Sequence, residues 1–197
     1  MRISGSITIW AYHKIERNQG MKTHHRIFAT ILTMAVVCVG CAEKQERSDG
    51  PHQRFYEAAG RFSYDPPAKW EIASMPGLKY RIARGPRTGG FTPNINVVEE
   101  SFTGSLKAYA NANITNMKKH FKSMKTLSRE DFKTNDDQPA VKLVIENVQQ
   151  GMKLRQTFYF LGTGRSKFVV TCTAPAKGGA KLDSLFEKSA ATFRFHK

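Results

Sequence analysis

Cysteine is scarce in this chain: three occur in 197 residues, Cys38, Cys41 and Cys172. No His-x-x-x-His is present, and the one Cys-x-x-Cys, Cys38-Val39-Gly40-Cys41, closes an apolar run near the start of the chain, so from Ala42 onward no spacing places two metal ligands on one turn or one helix face. Acidic residues are few, 16 against 31 basic ones, which leaves a formal charge of +15. The adjacent carboxylates, Glu99-Glu100 and Asp136-Asp137, fall at strand ends or turns, where successive side chains diverge and read as solvated surface. Gly89-Gly90 and Gly162-Thr163-Gly164 lack the Lys-Ser/Thr and helix context of a phosphate loop and read as turns. Long hydrophobic runs are absent too. The longest mostly apolar stretch, 27–39, is shorter than the roughly 20 residues a membrane-spanning helix needs. These absences leave no catalytic residues, no metal and no cofactor to assign from the sequence.

What stands at the start of the chain is more specific. Lys22, His24, His25 and Arg26 precede the apolar run, which closes on Val37-Cys38-Val39-Gly40-Cys41. Positive region, short apolar region and small residues before a cut are the parts of a secretory signal. A cysteine directly after the cut resembles the lipobox of bacterial lipoproteins, whose thiol is acylated before cleavage; Cys38 replaces the usual leucine three positions earlier. Residues 1–40 are therefore expected to be a signal peptide with Cys41 lipidated, palmitate-type chains holding the protein at the membrane. Residues 1–20 carry no motif of their own and read as an over-extended gene start before Met21-Lys22. With Cys41 acylated and Cys38 removed, Cys172 is a lone thiol, and no disulfide forms within the domain. Phe168, Val170, Cys172 and Ala174 share one side of a strand, with Lys167, Thr171 and Thr173 on the other, so Cys172 reads as an inert core residue.

From Cys41 onward 26 basic residues face 15 acidic ones, a net +11. That balance suits nucleic acid or an anionic lipid or protein surface, and export excludes nucleic acid. Residues 41–60 are polar and read as a tether, with the domain over 61–197. Phe62-Ser63-Tyr64 is a short strand stopped by Asp65-Pro66-Pro67, since proline cannot donate to a ladder. Trp70 reads as a core anchor, and Lys79 to Ala83 and Pro93 to Glu99 as strands. Leu106, Tyr109, Ala110, Ile114, Met117 and Phe121 recur at steps of three and four, predicting a helix capped by Thr103 or Ser105. Val141 to Val148 and Lys153 to Leu161 form a hairpin through Gln150-Gly151. A strand over Phe168 to Ala174, a helix around Leu182, Leu185, Phe186 and Ala190, and an extended Thr192–Phe195 complete the order. That order predicts an α+β domain with an antiparallel sheet.

Phe62 to Trp70, Pro93-Asn94-Ile95-Asn96-Val97, Arg155 to Phe160, Phe168 to Thr171 and Ser189 to Phe195 together resemble PsbP-like domains, the superfamily of photosystem II extrinsic subunits and DcrB-like lipoproteins. The resemblance implies an α/β/α sandwich, a central antiparallel β-sheet flanked by helices. It also implies non-catalytic work, binding or helping assemble an envelope protein complex. A carrier that shelters a small apolar ligand between helix and sheet is the alternative. Two basic groups are the candidate partner-binding residues: Lys118, Lys119, Lys122 and Lys125 along the helix, and Arg81, Arg84 and Arg87 before the Gly-rich loop. The expected partner is an acidic envelope protein. Ala42 after the lipidated cysteine points to the periplasmic face of the outer membrane rather than the inner membrane.

The lipobox reading predicts that Cys41→Ser leaves an unprocessed precursor that takes up no labelled palmitate. A variant that matures to the normal mass would overturn it.

Overall fold

The computed structural model describes residues 53–88, 90–121 and 123–196. The expected signal peptide, the expected lipidation site Cys41, Lys122 and Gly89 lie outside the described residues. Among the described residues stand ten strands and two helices of more than one turn, with short helical turns over Ala176–Gly179 and Ala180–Leu182: β1 (Phe55–Glu57), β2 (Phe62–Tyr64), β3 (Glu71–Ala73), β4 (Ile82–Arg84), β5 (Asn94–Ser101), α1 (Leu106–His120), β6 (Lys125–Lys133), β7 (Pro139–Gln149), β8 (Met152–Thr163), β9 (Ser166–Pro175), α2 (Asp183–Ala191) and β10 (Arg194–Phe195). Every strand pair is antiparallel. The main sheet runs β3-β4-β5-β9-β8-β7-β6, and a small sheet runs β1-β2-β10. This is the α+β architecture with an antiparallel sheet anticipated from the sequence.

Local chemistry accounts for the turns. Gln150 (φ 50°) and Gly151 (φ 80°) form the two-residue loop between the paired Gln149 and Met152. Positive φ at both central positions is the type I′ geometry whose twist matches the flanking strands. At the other end of β8, Gly162 takes φ 135°, and a Cβ there would meet the Ser166 carbonyl at 2.3 Å. α1 begins where Ser105, of the two predicted caps, accepts from the Ala108 amide at 3.1 Å, satisfying a donor with no partner inside the helix.

Alternation along the strands divides the main sheet into two faces. On one, Tyr109, Ala110, Ile114, Met117 and Phe121 of the α1 stripe pack with Val141, Leu143, Ile145, Phe158, Phe160 and Val169. On the other, Ile95, Val97, Tyr159, Leu161, Phe168, Val170, Cys172 and Ala174 meet Phe186 and Ala190 of α2 and the aromatic residues of the small sheet. Trp70 sits in this second core, edge-on to Phe186 at 5.9 Å. Two carboxylates one helical turn apart fasten α2 to the sheet. Asp183 takes both guanidinium arms of Arg155 at 2.9 and 2.6 Å, and Glu187 takes Lys142 at 2.6 Å. These pairs are partly shielded, so removing one partner strands a charge and costs more than a surface pair is worth.

Two expectations are corrected. The fold begins earlier than residue 61. Phe55–Glu57, assigned to the tether, pairs with β2, and Arg54 bonds Asp65, Ser63 and the Thr192 carbonyl. Polar composition hid this strand because Glu57 is buried against Arg81 at 3.3 Å while the Arg81 guanidinium lies 4.8 Å from the Phe55 ring. Second, α1 stops at His120, and 125–133 is a strand rather than helix or loop. Nearly all of β6 is exposed, so as an edge strand it carries little of the apolar alternation that reveals strands in sequence. The polar side of β9 stands opposite the apolar one as expected and is buried too: Lys167 is 2% exposed and Thr171 2%, with the Lys167 ammonium bonded to the Gly164 carbonyl.

Phe55→Ala tests the first correction. Phe55 is buried edge-to-face on Tyr64 at 5.4 Å, so the variant should lose about 3 kcal/mol and roughly 10 °C in a thermal melt. A tether residue would leave the melt unchanged.

Candidate functional site

The seven basic residues singled out in the sequence do not form the two groups expected. Lys118 and Lys119 are exposed in the last turn of α1, where positive charge also complements the helix dipole. Lys125 is no longer on that helix. It pairs in register with Glu146, whose neighbours Val144 and Val148 alternate onto the α2 face, so it lies on the opposite layer from the helix lysines. In the second group, Arg81 faces the small sheet and is committed to Glu57 and the Tyr56 carbonyl. Arg84, three residues on, faces the α1 layer, and Arg87 is exposed in the loop before β5.

Arg84 reveals a surface the sequence reading missed. Cross-strand pairing aligns Arg84 (β4) with Asn94 (β5), Asn94 with Thr173 (β9), and Thr173 with Gln156 (β8). Directly opposed residues share a face, so these four form one row on the α1 side. Asn96 pairs with Thr171 in the next row of that side, and Asn147 on β7 lies diagonal to Gln156. The amides are linked: Asn147 Nδ2 donates to Gln156 Oε1 at 2.7 Å, Gln149 Nε2 to the same oxygen at 3.0 Å, and Gln156 Nε2 to Thr173 Oγ1 at 3.2 Å. Half of the α1 face is thus aromatic and aliphatic beneath the helix, and the other half is amide and hydroxyl.

The helix points its basic end toward the polar half. Tyr109, near the start of α1, stacks edge-on against Phe160 at 6.0 Å. Asn111 takes a bond from Arg129, which is paired with Leu143. The chain re-enters the sheet at Lys125, opposite Glu146. α1 therefore runs from the Phe160 row toward the Ile145 row, with Lys118 and Lys119 exposed in its last turn.

Groups that might have carried catalysis are occupied otherwise. Cys172 is wholly buried and burial pushes its thiol pKa well up, which keeps it protonated and unreactive. Glu99 and Glu100 diverge to opposite faces, as the strand geometry requires. Burial alone would raise the Glu99 pKa, but bonds from the Tyr80 hydroxyl (2.6 Å) and the Lys79 ammonium (3.0 Å) outweigh it and hold the carboxyl below its usual value. Glu100 accepts from Tyr109 at 2.6 Å, whose phenol is pushed up by burial and by that carboxylate. His120 bonds the Asn116 carbonyl in its own helix, and His196 bonds Ser63 where the last strand closes on β2. Among the described residues no group of three His, Cys, Asp or Glu is placed to hold a metal ion, and no helix is long and apolar enough to cross a membrane.

The architecture, an antiparallel sheet covered by a helix on each face, is a PsbP-like fold. Among solved structures the chain is similar to cyanobacterial PsbP (CyanoP) from Synechocystis, with a TM-score of 0.55 at 11% identity over 76% of this chain and 96% of that one. It is also similar to LpqN of Mycobacterium tuberculosis, described as involved in cell envelope biogenesis, with a TM-score of 0.55 at 12% identity over 75% of this chain and 91% of that one. A third, PA94 of Pseudomonas aeruginosa, is described as a putative regulator of unknown function and matches with a TM-score of 0.52 at 16% identity over 73% and 96% of the two chains. At these identities the likeness is one of fold. No family model and no curated protein matches the chain.

Burial of Cys172 predicts that a thiol reagent added to the folded protein at mild alkaline pH leaves it unlabelled by peptide mapping, and labels it fully in denaturant. Labelling of Cys172 at native conditions would show that the core opens and the thiol is available for chemistry.

Proposed function

We propose that the chain is a lipid-anchored bacterial envelope protein whose PsbP-like domain binds, stabilises or helps assemble an envelope protein complex, without catalysis. The observation that carries this reading is the placement of the two layers. Arg54 and β1 join the chain to the small sheet on the α2 side, whereas the basic end of α1 lies across the main sheet. An anchor at Cys41 would stand twelve residues from Gln53, a reach of about 20 Å for a flexible coil. Held from the α2 side, the domain presents its α1 face away from the attachment point and toward a partner. The sequence signals for export and lipidation, and the likeness in fold to an envelope biogenesis protein, support the same reading.

Magnitudes separate the roles of lipid and lysine. Each buried methylene of an acyl chain contributes about 0.8 kcal/mol to membrane binding, against about 1 kcal/mol for a whole lysine near an anionic surface. Two or three acyl chains make the lysines superfluous as an anchor, which leaves them for an acidic partner. On this reading the partner is an acidic protein at the periplasmic face of the outer membrane, the leaning given by Ala42. A carrier of a small apolar ligand is disfavoured, because Tyr109, Ile114, Met117 and Phe121 fill the space between α1 and Phe158 and Phe160.

Purification of the native protein from its own membranes in mild detergent, followed by mass spectrometry, should return a stoichiometric envelope protein. Reversal of Lys118, Lys119 and Lys122 to Glu should reduce that capture about tenfold or more, since each rim charge contributes on the order of 1 kcal/mol, while the thermal melt stays in place. Unchanged capture would remove the helix end from the interface, and a bound apolar molecule with no protein would favour the carrier.

A further inference from the structure

The end of the sheet around the β7–β8 hairpin is apolar and charged at once. Four large hydrophobic side chains are exposed among the described residues, and two of them, Val148 (37%) and Met152 (38%), flank the same turn. Gln150 and Gly151 close that turn in two residues. It is a narrow tip, with Val148 on the α2 side and Met152, paired with Gln149, on the other. Lys153 is paired directly with Val148, and Lys125 enters β6 opposite Glu146, two residues before it. Next to β8 the chain leaves β9 at Pro175, opposite Leu154. A Cβ at Gly179 would meet Ala174 at 3.3 Å and Arg155 at 3.4 Å, which sets the turns bearing Lys177 and Lys181 on the α2 side as well. Lys125, Lys153, Lys177 and Lys181 are all exposed, and none of them is in an ion pair. The carboxylates of this corner, Glu146 and Asp183, are both turned onto Arg155.

An apolar tip ringed by unpaired lysines suits either a pocket in an acidic protein or the surface of an anionic bilayer. Three features favour the bilayer. Val148 and Met152 project from opposite faces of one hairpin; a medium that surrounds the tip covers both, whereas a protein would need a slot cut to fit it. All four charges are lysine, a hydrated point charge that needs no matched geometry. Its stem lies along apolar surface while the ammonium stays in water. The third feature is position. Arg54, where the chain enters the fold, bonds the Thr192 carbonyl, and the neighbouring Ala191 carbonyl takes the Asn135 amide just before β7. From there β7 runs eleven residues to the hairpin, roughly 35 Å. Chain entry and lysine tip thus stand at the two ends of the α2 layer, on one side of the domain, where a single bilayer reaches both.

We propose that the β7–β8 tip and its four lysines are a second membrane contact, docking on anionic phospholipid with Val148 and Met152 at headgroup depth. The polar backbone of the turn keeps it out of the hydrocarbon. This inference rests on the lipid-anchored reading and adds orientation to it. An acyl tether alone leaves the domain free to turn. Two contacts roughly 35 Å apart lay α2 along the bilayer and hold the α1 face away from it, toward a partner. Each lysine near an anionic surface strengthens partitioning about fivefold. The tether keeps the tip at an effective concentration on the order of millimolar, so a contact too weak to form from solution is held in place.

The test puts a polarity-sensitive nitrobenzoxadiazole label on Val148→Cys in the full-length protein purified from its own membranes; burial keeps Cys172 from competing for the reagent. In vesicles of equimolar phosphatidylcholine and phosphatidylglycerol the label should shift to the blue and brighten. It should not do so in phosphatidylcholine alone, and high salt should reverse the shift. A label on Lys107→Cys, at the start of α1, should not respond. Replacing Lys125, Lys153, Lys177 and Lys181 by Glu should abolish the shift while flotation with the vesicles and the thermal melt stay as they were. Lys118→Glu with Lys119→Glu should leave the shift intact. The proposal is overturned if the Val148 label stays unshifted in the equimolar vesicles, or shifts equally in phosphatidylcholine alone. It is also overturned if poly-L-glutamate added to phosphatidylcholine vesicles shifts the label as far, which would make the tip part of an acidic-protein interface. Flotation reads the anchor separately: protein that does not float with phosphatidylcholine overturns the lipid anchor, and the label in equimolar vesicles still decides the tip.

Discussion

Everything in this domain depends on the β8–β9 pair being covered on both faces. Tyr159, Leu161, Phe168, Val170 and Cys172 bury one side against α2 and the small sheet, and Phe158, Phe160 and Val169 bury the other against α1. A sheet with two covered faces cannot use simple apolar and polar alternation. Each face needs its own cover, and each cover its own fastening. On the α2 face the fastening is ionic, Arg155 with Asp183 and Lys142 with Glu187. On the α1 face it is the aromatic contact of Tyr109 with Phe160, reinforced at the helix start by the Glu100 bond.

The two faces then diverge in chemistry. The α2 face is apolar along most of its length because the small sheet adds Phe62, Phe193 and Phe195 to what α2 covers. α1 is fifteen residues long and covers only part of its face. Beyond it, β5, β9, β8 and β7 present asparagine, threonine and glutamine instead of valine and phenylalanine. Asn94, Asn147, Gln156, Thr171 and Thr173 are buried there all the same, and a polar atom buried without a partner is costly. The layers thus differ in place as well as chemistry: the chain enters through β1 on the α2 side, and the basic last turn of α1 lies on the other.

How much of this was legible in the sequence depended on the period of each element. The α1 stripe, the β7–β8 hairpin at Gln150-Gly151, the apolar side of β9 and the closing helix all carried strong local signals, and they stand where expected. β1 did not, because its apolar residue Phe55 is followed by a buried glutamate that only Arg81, distant in sequence, makes tolerable. β6 did not, because an edge strand in water has no reason to alternate. The basic groups misled for a related reason: Arg81 and Arg84 are near in sequence yet face opposite layers, and the chain turns from helix to strand between Lys119 and Lys125.

By itself the sequence carried the pattern expected of an export segment ending in Cys41, a strongly basic composition and the order of an α+β domain with an antiparallel sheet, all written in contiguous residues or local periodicity. Which polar residues act together was decided only by tertiary structure. Arg84, Asn94, Gln156 and Thr173 are scattered over ninety positions and are brought into one row by strand register. Register depends on turn geometry and on which face must be buried, both properties of the assembled sheet rather than of any single segment.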